Sequence, residues 1–194
     1  FMEFDGTKRG VEEQIEMMRA IAEDQGGGEF QWTSDQEERN RLWQARHDSA
    51  YAAKALREGC ELWGTDVCVP LSRLTECMTE TRKDLESCSL PAPMLGHVGD
   101  GNFHLIFVLD TSNDAEIKEA EEYNERMIMR ALAMDGTCTG EHGIGLGKKD
   151  FLVAELGPAV DVMRQLKLAL DPTNFMNPGK MIEIEGGVRA GEVT

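Results

Sequence analysis

Apolar residues recur at helical spacing through several long stretches and at alternate positions through a few short ones, and the switches between these two periods outline the elements. The segment Phe1-Met2-Glu3-Phe4 reads as a strand. A helix is expected over roughly residues 10–25, stopped by Gly26-Gly27-Gly28, followed by a short strand near Phe30-Gln31-Trp32. Ser34 and Asp35 offer a cap for an acidic helix that carries Leu42, Trp43, Ala45, His47, Ala50 and Ala53 toward Gly59. Met and Trp positions on these helices read as core stripe rather than as a cofactor box. Residues 61–69 read as one strand ended by Pro70, and 71–88 as a helix with inward spacing Leu71, Leu74, Met78 and Leu85. A β-hairpin over 92–109 and a helix over 113–134 come next, then helix-like segments to about Leu170 and turns at Asp171-Pro172 and Asn177-Pro178. This order predicts an α+β fold, an antiparallel sheet covered by helices.

Composition narrows the function without naming it. At 194 residues and 41% hydrophobic, the chain suffices for one ordinary domain with a real core. It holds no apolar run of about 18 residues, so no transmembrane segment is expected, and it shows no signal-peptide pattern. A net charge of −16 argues against nucleic acid or anionic lipid as a direct partner. The five cysteines, Cys60, Cys68, Cys77, Cys88 and Cys138, form no CxxC pair and fit a reducing compartment better than a disulfide framework. Cys138, near the segment discussed next, is a candidate reactive thiol.

The chemistry concentrates in two segments. In Gly96-His97-Val98-Gly99-Asp100-Gly101-Asn102-Phe103-His104, an Asp-Gly centre suits a two-residue type I′ turn, which requires positive φ at both positions. That turn would pair His97 with His104 and Val98 with Phe103. The two histidines and Asn102 would share one face, with Val98 and Phe103 on the other. A histidine pair on a hairpin is as readily two hydrogen-bonded or solvated side chains. The second segment, residues 136–147, holds five glycines and the adjacent Glu141-His142. Glu141 can supply a carboxylate to His97 and His104, giving a His₂-carboxylate set with open positions that suits Zn, Mn or Fe(II). His142 is then free to act as a base. Gly143, Gly145 and Gly147 before Lys148 invite a phosphate-loop reading, but His142 stands where its first glycine should be and Lys149 where its hydroxyl should be. A dinucleotide fingerprint fails as well, because no continuous apolar strand precedes these glycines.

The segments GHVGDGNFH at 96–104 and CTGEHGIGLGKK at 138–149 occur together with LWQARH at 42–47, TDVCVP at 65–70 and DPTNFMNPGK at 171–180. In that order and spacing they resemble the C-terminal half of FAD-linked oxidases, most closely the cytochrome-type D-lactate dehydrogenases. Glycolate oxidase and D-2-hydroxyglutarate dehydrogenase are near relatives within the same family. The resemblance implies a substrate- and metal-binding (cap) domain over residues 1–182, a tail over 183–194, and a separate N-terminal domain that holds most of the FAD. It implies a divalent metal, Zn or Mn, on His97, His104 and Glu141, with His142 as catalytic base. Arg46 would grip the substrate carboxylate, Asn102 would donate a hydrogen bond to substrate, and Asn177 would approach the flavin. For Arg46 the competing reading is an ion pair on an acidic helix, for Asn102 and Asn177 a turn role, and for His47 a packed or solvated helix position. The implied reaction turns a D-2-hydroxy acid into a 2-oxo acid, with a cytochrome, quinone or electron-transfer flavoprotein as acceptor. Relatives specific for hydroxyglutarate carry a lysine where Thr65 stands, so a small monocarboxylate such as D-lactate is expected, glycolate second. The implied location is cytoplasmic or membrane-associated, or mitochondrial in a eukaryote. The chain alone is expected to be inactive. A subunit acting through a partner flavoprotein, or a metal-binding protein without redox chemistry, would share the same residues.

Overall fold

In the computed structural model, residues 1–184 are described, and the chain divides into two compact units, Phe1–Ala52 and the portion from Ala53 onward. The expected tail from 183 therefore lies almost wholly outside the described residues.

The first unit is helical. Helix α1 (Lys8–Asp24) starts at Thr7, whose side chain accepts from the Gly10 amide, and α2 (Gln36–His47) starts at Asp35, whose Oδ1 accepts from the Glu37 and Glu38 amides at 3.0 Å. Asp35 thus satisfies two amides that the helix itself leaves unpaired. The single helix expected toward Gly59 is two: α2 stops at Asp48, and α3 (Ser49–Lys54) follows. The strands expected at Phe1–Phe4 and Phe30–Trp32 do not form. With no ladder partner in this unit, those aromatics cluster with one another instead, Phe1 and Trp32 staying more than half exposed. Phe1 stacks on Trp43 at 6.5 Å, and Phe4, Phe30 and Trp32 join them around a cavity of about 430 Å³.

The second unit carries the sheet. Strands β1 (Glu61–Gly64), β2 (Val67–Cys68) and β3 (Met94–His97) all pair antiparallel with the eight-residue β4 (Asn102–Leu109). The strand expected over 61–69 is interrupted at Thr65-Asp66, yet β1 and β2 keep one register, Glu61 opposite Leu109 and Cys68 opposite Asn102. On β4, Phe103, Leu105, Phe107 and Leu109 alternate onto the core face. There they meet Leu74 and Cys77 of α4 (Leu71–Asp84), and Ala120, Tyr123, Met127, Ile128 and Ala131 of α5 (Asp114–Ala133). Leu71 departs from the expected core spacing: in the first turn after Pro70 it is 61% exposed, and Cys77 and Thr81 complete the buried face with Leu74. Helices α6 (Lys149–Leu156) and α7 (Ala159–Leu170) follow the glycine segment. The turn after α7 is held by Asp171, whose carboxylate accepts from the Phe175 and Met176 amides. Helices thus cover an antiparallel sheet, as the alternating pattern predicts.

Candidate metal centre

The face of β4 opposite the core presents Asn102 and His104. Across the hairpin, His97 lies opposite Asn102, and Leu95 opposite His104. The turn is therefore longer than the two-residue type I′ turn expected from Asp100-Gly101. A 3-10 turn over Val98–Asp100 ends at Gly101 with φ 76, and a Cβ on Gly101 would stand 2.1 Å from the Val69 carbonyl oxygen. The turn rides over β2, and only glycine allows that approach. Val98 belongs to the turn and is exposed, not paired with Phe103 on the core face. The register shift is two residues. Because side chains alternate with period two, His97, Asn102 and His104 remain on one face, with the histidine rings 6.4 Å apart and edge-on.

At the interruption between β1 and β2, the Asp66 carboxylate is fully buried and accepts five hydrogen bonds. Its Oδ2 takes Thr139 Oγ1 at 2.6 Å and the backbone amides of Gly140, Glu141 and His142 at 2.8, 3.0 and 2.9 Å. Its Oδ1 takes Asn102 Nδ2 at 2.7 Å. Burial alone would raise the pKa of this group, but the donors from Thr139, His142, Glu141 and Asn102 outweigh it and hold Asp66 well below the usual carboxylate range. The glycine segment is thereby wrapped around one buried negative charge. Gly140 has no room for a side chain, since its Cβ would lie 2.0 Å from Asn102 Nδ2.

This wrapping brings Glu141 and His142 to the histidine face. Glu141 Oε1 is 3.0 Å from His104 Nε2, 3.6 Å from His142 Nε2 and 3.9 Å from His97 Nε2, and the His142 ring stacks on His104 at 4.9 Å. Nδ1 of His104 meets the Thr65 carbonyl oxygen at 3.0 Å. A carbonyl only accepts, so Nδ1 carries a proton and Nε2 is the ring atom that faces the Glu141 carboxylate. A proton or a metal cation shared between Nε2 and Oε1 satisfies that approach. His97, His104 and Glu141 offer ligand atoms within 4.8 Å of one another, and the mixed imidazole–carboxylate set suits Zn or Mn. A second grouping, Asp66, His104 and His142, meets the same distance limit, but Asp66 is already saturated by donors. The residues fit a metal through the first set, which is half-exposed and leaves room for further ligands.

The remaining expected site residues are placed as follows. Asn102 is buried, and both its amide hydrogens are engaged, to Asp66 Oδ1 at 2.7 Å and the Val67 carbonyl at 3.0 Å. It cannot also donate to a substrate as expected. Its Oδ1 is buried and has no partner among the described residues. Arg46 lies half-buried in the last turn of α2, in the first unit. Asn177 takes a left-handed conformation, φ 47, in the turn after α7 and lines an apolar groove of about 680 Å³ with Met163, Leu166, Met176 and Met181. Cys138 is not a reactive thiol: burial first, then Glu155, pushes its pKa up to about 12. Lys148 is no phosphate ligand, because its Nζ donates to the Asp66 and Cys138 carbonyls, both at 2.7 Å. The hydrogen-bonding roles of Thr65, Asp66 and Lys148 at this site were missed from sequence. An acid inside an otherwise apolar strand, Trp63 to Val69, was the available signal for Asp66.

The family described as "FAD linked oxidases, C-terminal domain" matches residues 1–181, with the histidine hairpin, Asp66 and the glycine segment all inside the match. The chain belongs to this family. A zebrafish (Danio rerio) protein named "Probable D-lactate dehydrogenase, mitochondrial" is 54% identical over 95% of the chain. An Arabidopsis thaliana "D-lactate dehydrogenase [cytochrome], mitochondrial" is 42% identical over 93% of the chain. The glycolate oxidase subunit GlcD of Bacillus subtilis is 32% identical over 93%. The chain spans 37%, 32% and 38% of these three relatives' lengths. The match takes in the first unit whole and the second as far as residue 181, and no described helix is long and apolar enough to cross a membrane.

Proposed function

We propose that this chain is the substrate- and metal-binding portion of an FAD-dependent dehydrogenase that oxidises a D-2-hydroxy acid, D-lactate first and glycolate second, to the 2-oxo acid. The observation that carries this reading is Glu141 Oε1 set among three imidazoles, 3.0 Å from the Nε2 of His104. His97, His104 and Glu141 would hold the metal. A divalent ion held there would supply Lewis acidity toward the substrate hydroxyl, and a flavin bound outside this chain would supply the hydride acceptor. His142 takes the hydroxyl proton at its ring. It is half-exposed and stacked on His104, so it faces the same space as the ligands, directly after Glu141 in the glycine segment. Arg46 is carried over from the family as the carboxylate-binding residue, and Asn177 as the contribution to the flavin site. The printed names of the zebrafish and Arabidopsis relatives supply the mitochondrial location and the cytochrome acceptor that we extend to this chain.

The test is metal content of the purified chain by mass spectrometry after equilibration with Mn and Zn, beside His104→Ala and Glu141→Ala. Near-stoichiometric metal lost in both variants supports the site; equal metal in all three removes it. The substrate is then decided in the full-length flavoprotein by comparing kcat/KM for D-lactate and glycolate, while the chain alone should show no turnover.

A further inference from the structure

We infer that Thr65 and Asp66, at the interruption between β1 and β2, are positioning residues: Thr65 sets the ring tautomer of His104, and Asp66 sets the backbone that presents Glu141 and His142. The inference rests on the metal reading above for its functional meaning, but its geometry stands apart from it.

In an unbroken antiparallel ladder, Thr65 would exchange both backbone hydrogen bonds with Leu105. One is present, Thr65 N–H to the Leu105 carbonyl at 2.9 Å. The other is diverted: the Leu105 amide donates at 2.8 Å to the Thr65 hydroxyl rather than to its carbonyl. The hydroxyl stands in for its own main chain. The Thr65 carbonyl is thereby released, and the Nδ1–H of His104 donates to it at 3.0 Å. The next two carbonyls also accept from side chains, Asp66 from Lys148 Nζ at 2.7 Å and Val67 from Asn102 Nδ2 at 3.0 Å. Three successive carbonyls therefore serve side chains of the site, while β1 and β2 keep their common register on β4. A proton fixed on Nδ1 leaves Nε2 as the only ligand atom of His104, which is how outer hydrogen bonds orient metal-binding histidines. On its other side, the Asp66 carboxylate collects the amides of residues 140–142, reaching 74 to 76 positions along the chain. Without that acceptor, three successive amides lose their common partner and the segment loses its orientation.

The experiment uses the 194-residue chain with Thr65→Val, Thr65→Ser, Asp66→Asn and, as a milder case, Thr139→Val, which removes one of the five donors. Three readouts are taken on folded protein: the His104 tautomer by imidazole ¹⁵N and ¹³C NMR, amide exchange at 140–142, and affinity for Mn²⁺ or Zn²⁺ alone by calorimetric titration. Thr65→Val should convert His104 to a mixed tautomer and weaken metal by about 10- to 100-fold, leave exchange at 140–142 unchanged, and be rescued by Thr65→Ser. Asp66→Asn places an NH₂ against donors whichever way its amide lies, so it should speed exchange at 140–142 at least tenfold and weaken metal while His104 keeps its tautomer. Thr139→Val should do the same to a smaller degree and answers if Asp66→Asn does not fold. An unchanged tautomer in Thr65→Val, or unchanged exchange in both Asp66→Asn and Thr139→Val, overturns the inference. Wild-type metal affinity in His104→Ala would instead sink the metal reading, and the tautomer and exchange results would still decide the positioning roles.

Discussion

Gly140→Ala isolates the packing that holds the metal-centre loop to the strand. Gly140 needs no left-handed backbone, so alanine brings only a methyl carbon, placed 2.0 Å from Asn102 Nδ2, 2.9 Å from its Cγ and 3.1 Å from Asp66 Oδ1. Ordinary contact begins near 3.4 Å, so loop and amide must separate by about 1.4 Å. Asn102 Nδ2 holds bonds of 2.7 Å to Asp66 and 3.0 Å to Val67, and neither survives such a shift intact. Losing a buried bond to a charged acceptor costs about 1.5–3 kcal/mol and a neutral one about 0.5–1.5 kcal/mol. With partial relaxation, the expected destabilisation is about 2–4 kcal/mol, in the range seen for overpacked interiors. Gly143→Ala is the control from the same segment: at φ 78, with nothing within 4 Å, it should cost only the left-handed penalty of about 1–2 kcal/mol and leave metal binding intact. Urea unfolding followed by circular dichroism measures both variants, and Mn²⁺ titration follows the site. In the double variant Asn102→Ala, Gly140→Ala, the clash is gone, so its cost should fall below the sum of the two singles. Gly140→Ala within 0.5 kcal/mol of wild type, or strict additivity in the double variant, would refute the packing argument.

Other expectations concern the framework. Glu116 accepts two bonds from Arg57, at 2.6 and 2.8 Å, and one from the Asp110 amide, and these hold its pKa at about 2 against the ordinary 4.5. A depressed carboxyl stabilises fully above its ordinary value and loses that contribution as pH falls from about 4.5 toward 2. Melting temperatures between pH 2 and 6 should therefore drop less steeply in Glu116→Gln, and an identical slope would discard this assignment. Cys138, with its pKa near 12, should resist thiol reagents at pH 8 until the chain unfolds; mapped labelling of Cys138 in the native state would contradict its burial. Phe107 is fully buried between Trp63 at 6.0 Å and Tyr123 at 6.5 Å, and Phe107→Ala should cost about 3–5 kcal/mol by urea midpoint.

What the sequence determined by itself was whatever depends on local period and on one chemical face. The alternation of β4 places Phe103, Leu105 and Phe107 inward and Asn102 and His104 outward, whatever the turn does. The expected turn was wrong by two residues, and the grouping of His97 with His104 survived because an even shift preserves the face. Asp35 as a cap and the helices over 8–24, 71–84 and 114–133 were likewise legible, since caps and amphipathic spacing act over a few residues. Tertiary structure decided the rest. Short aromatic segments such as Phe30–Trp32 become strands only if a ladder partner exists, and none does in their unit. Asp66 inside the strand was a signal that something interrupts it, but not what, because the cause is a loop 73 to 76 residues away that has to arrive before a buried carboxylate is tolerable there. Asn102 could be assigned to the right face but not to the right partner, because hydrogen bonds are settled by which donors and acceptors a fold brings together. Sequence pattern sorts residues by face and type, whereas the pairing of buried polar groups is a long-range property that only the assembled chain resolves.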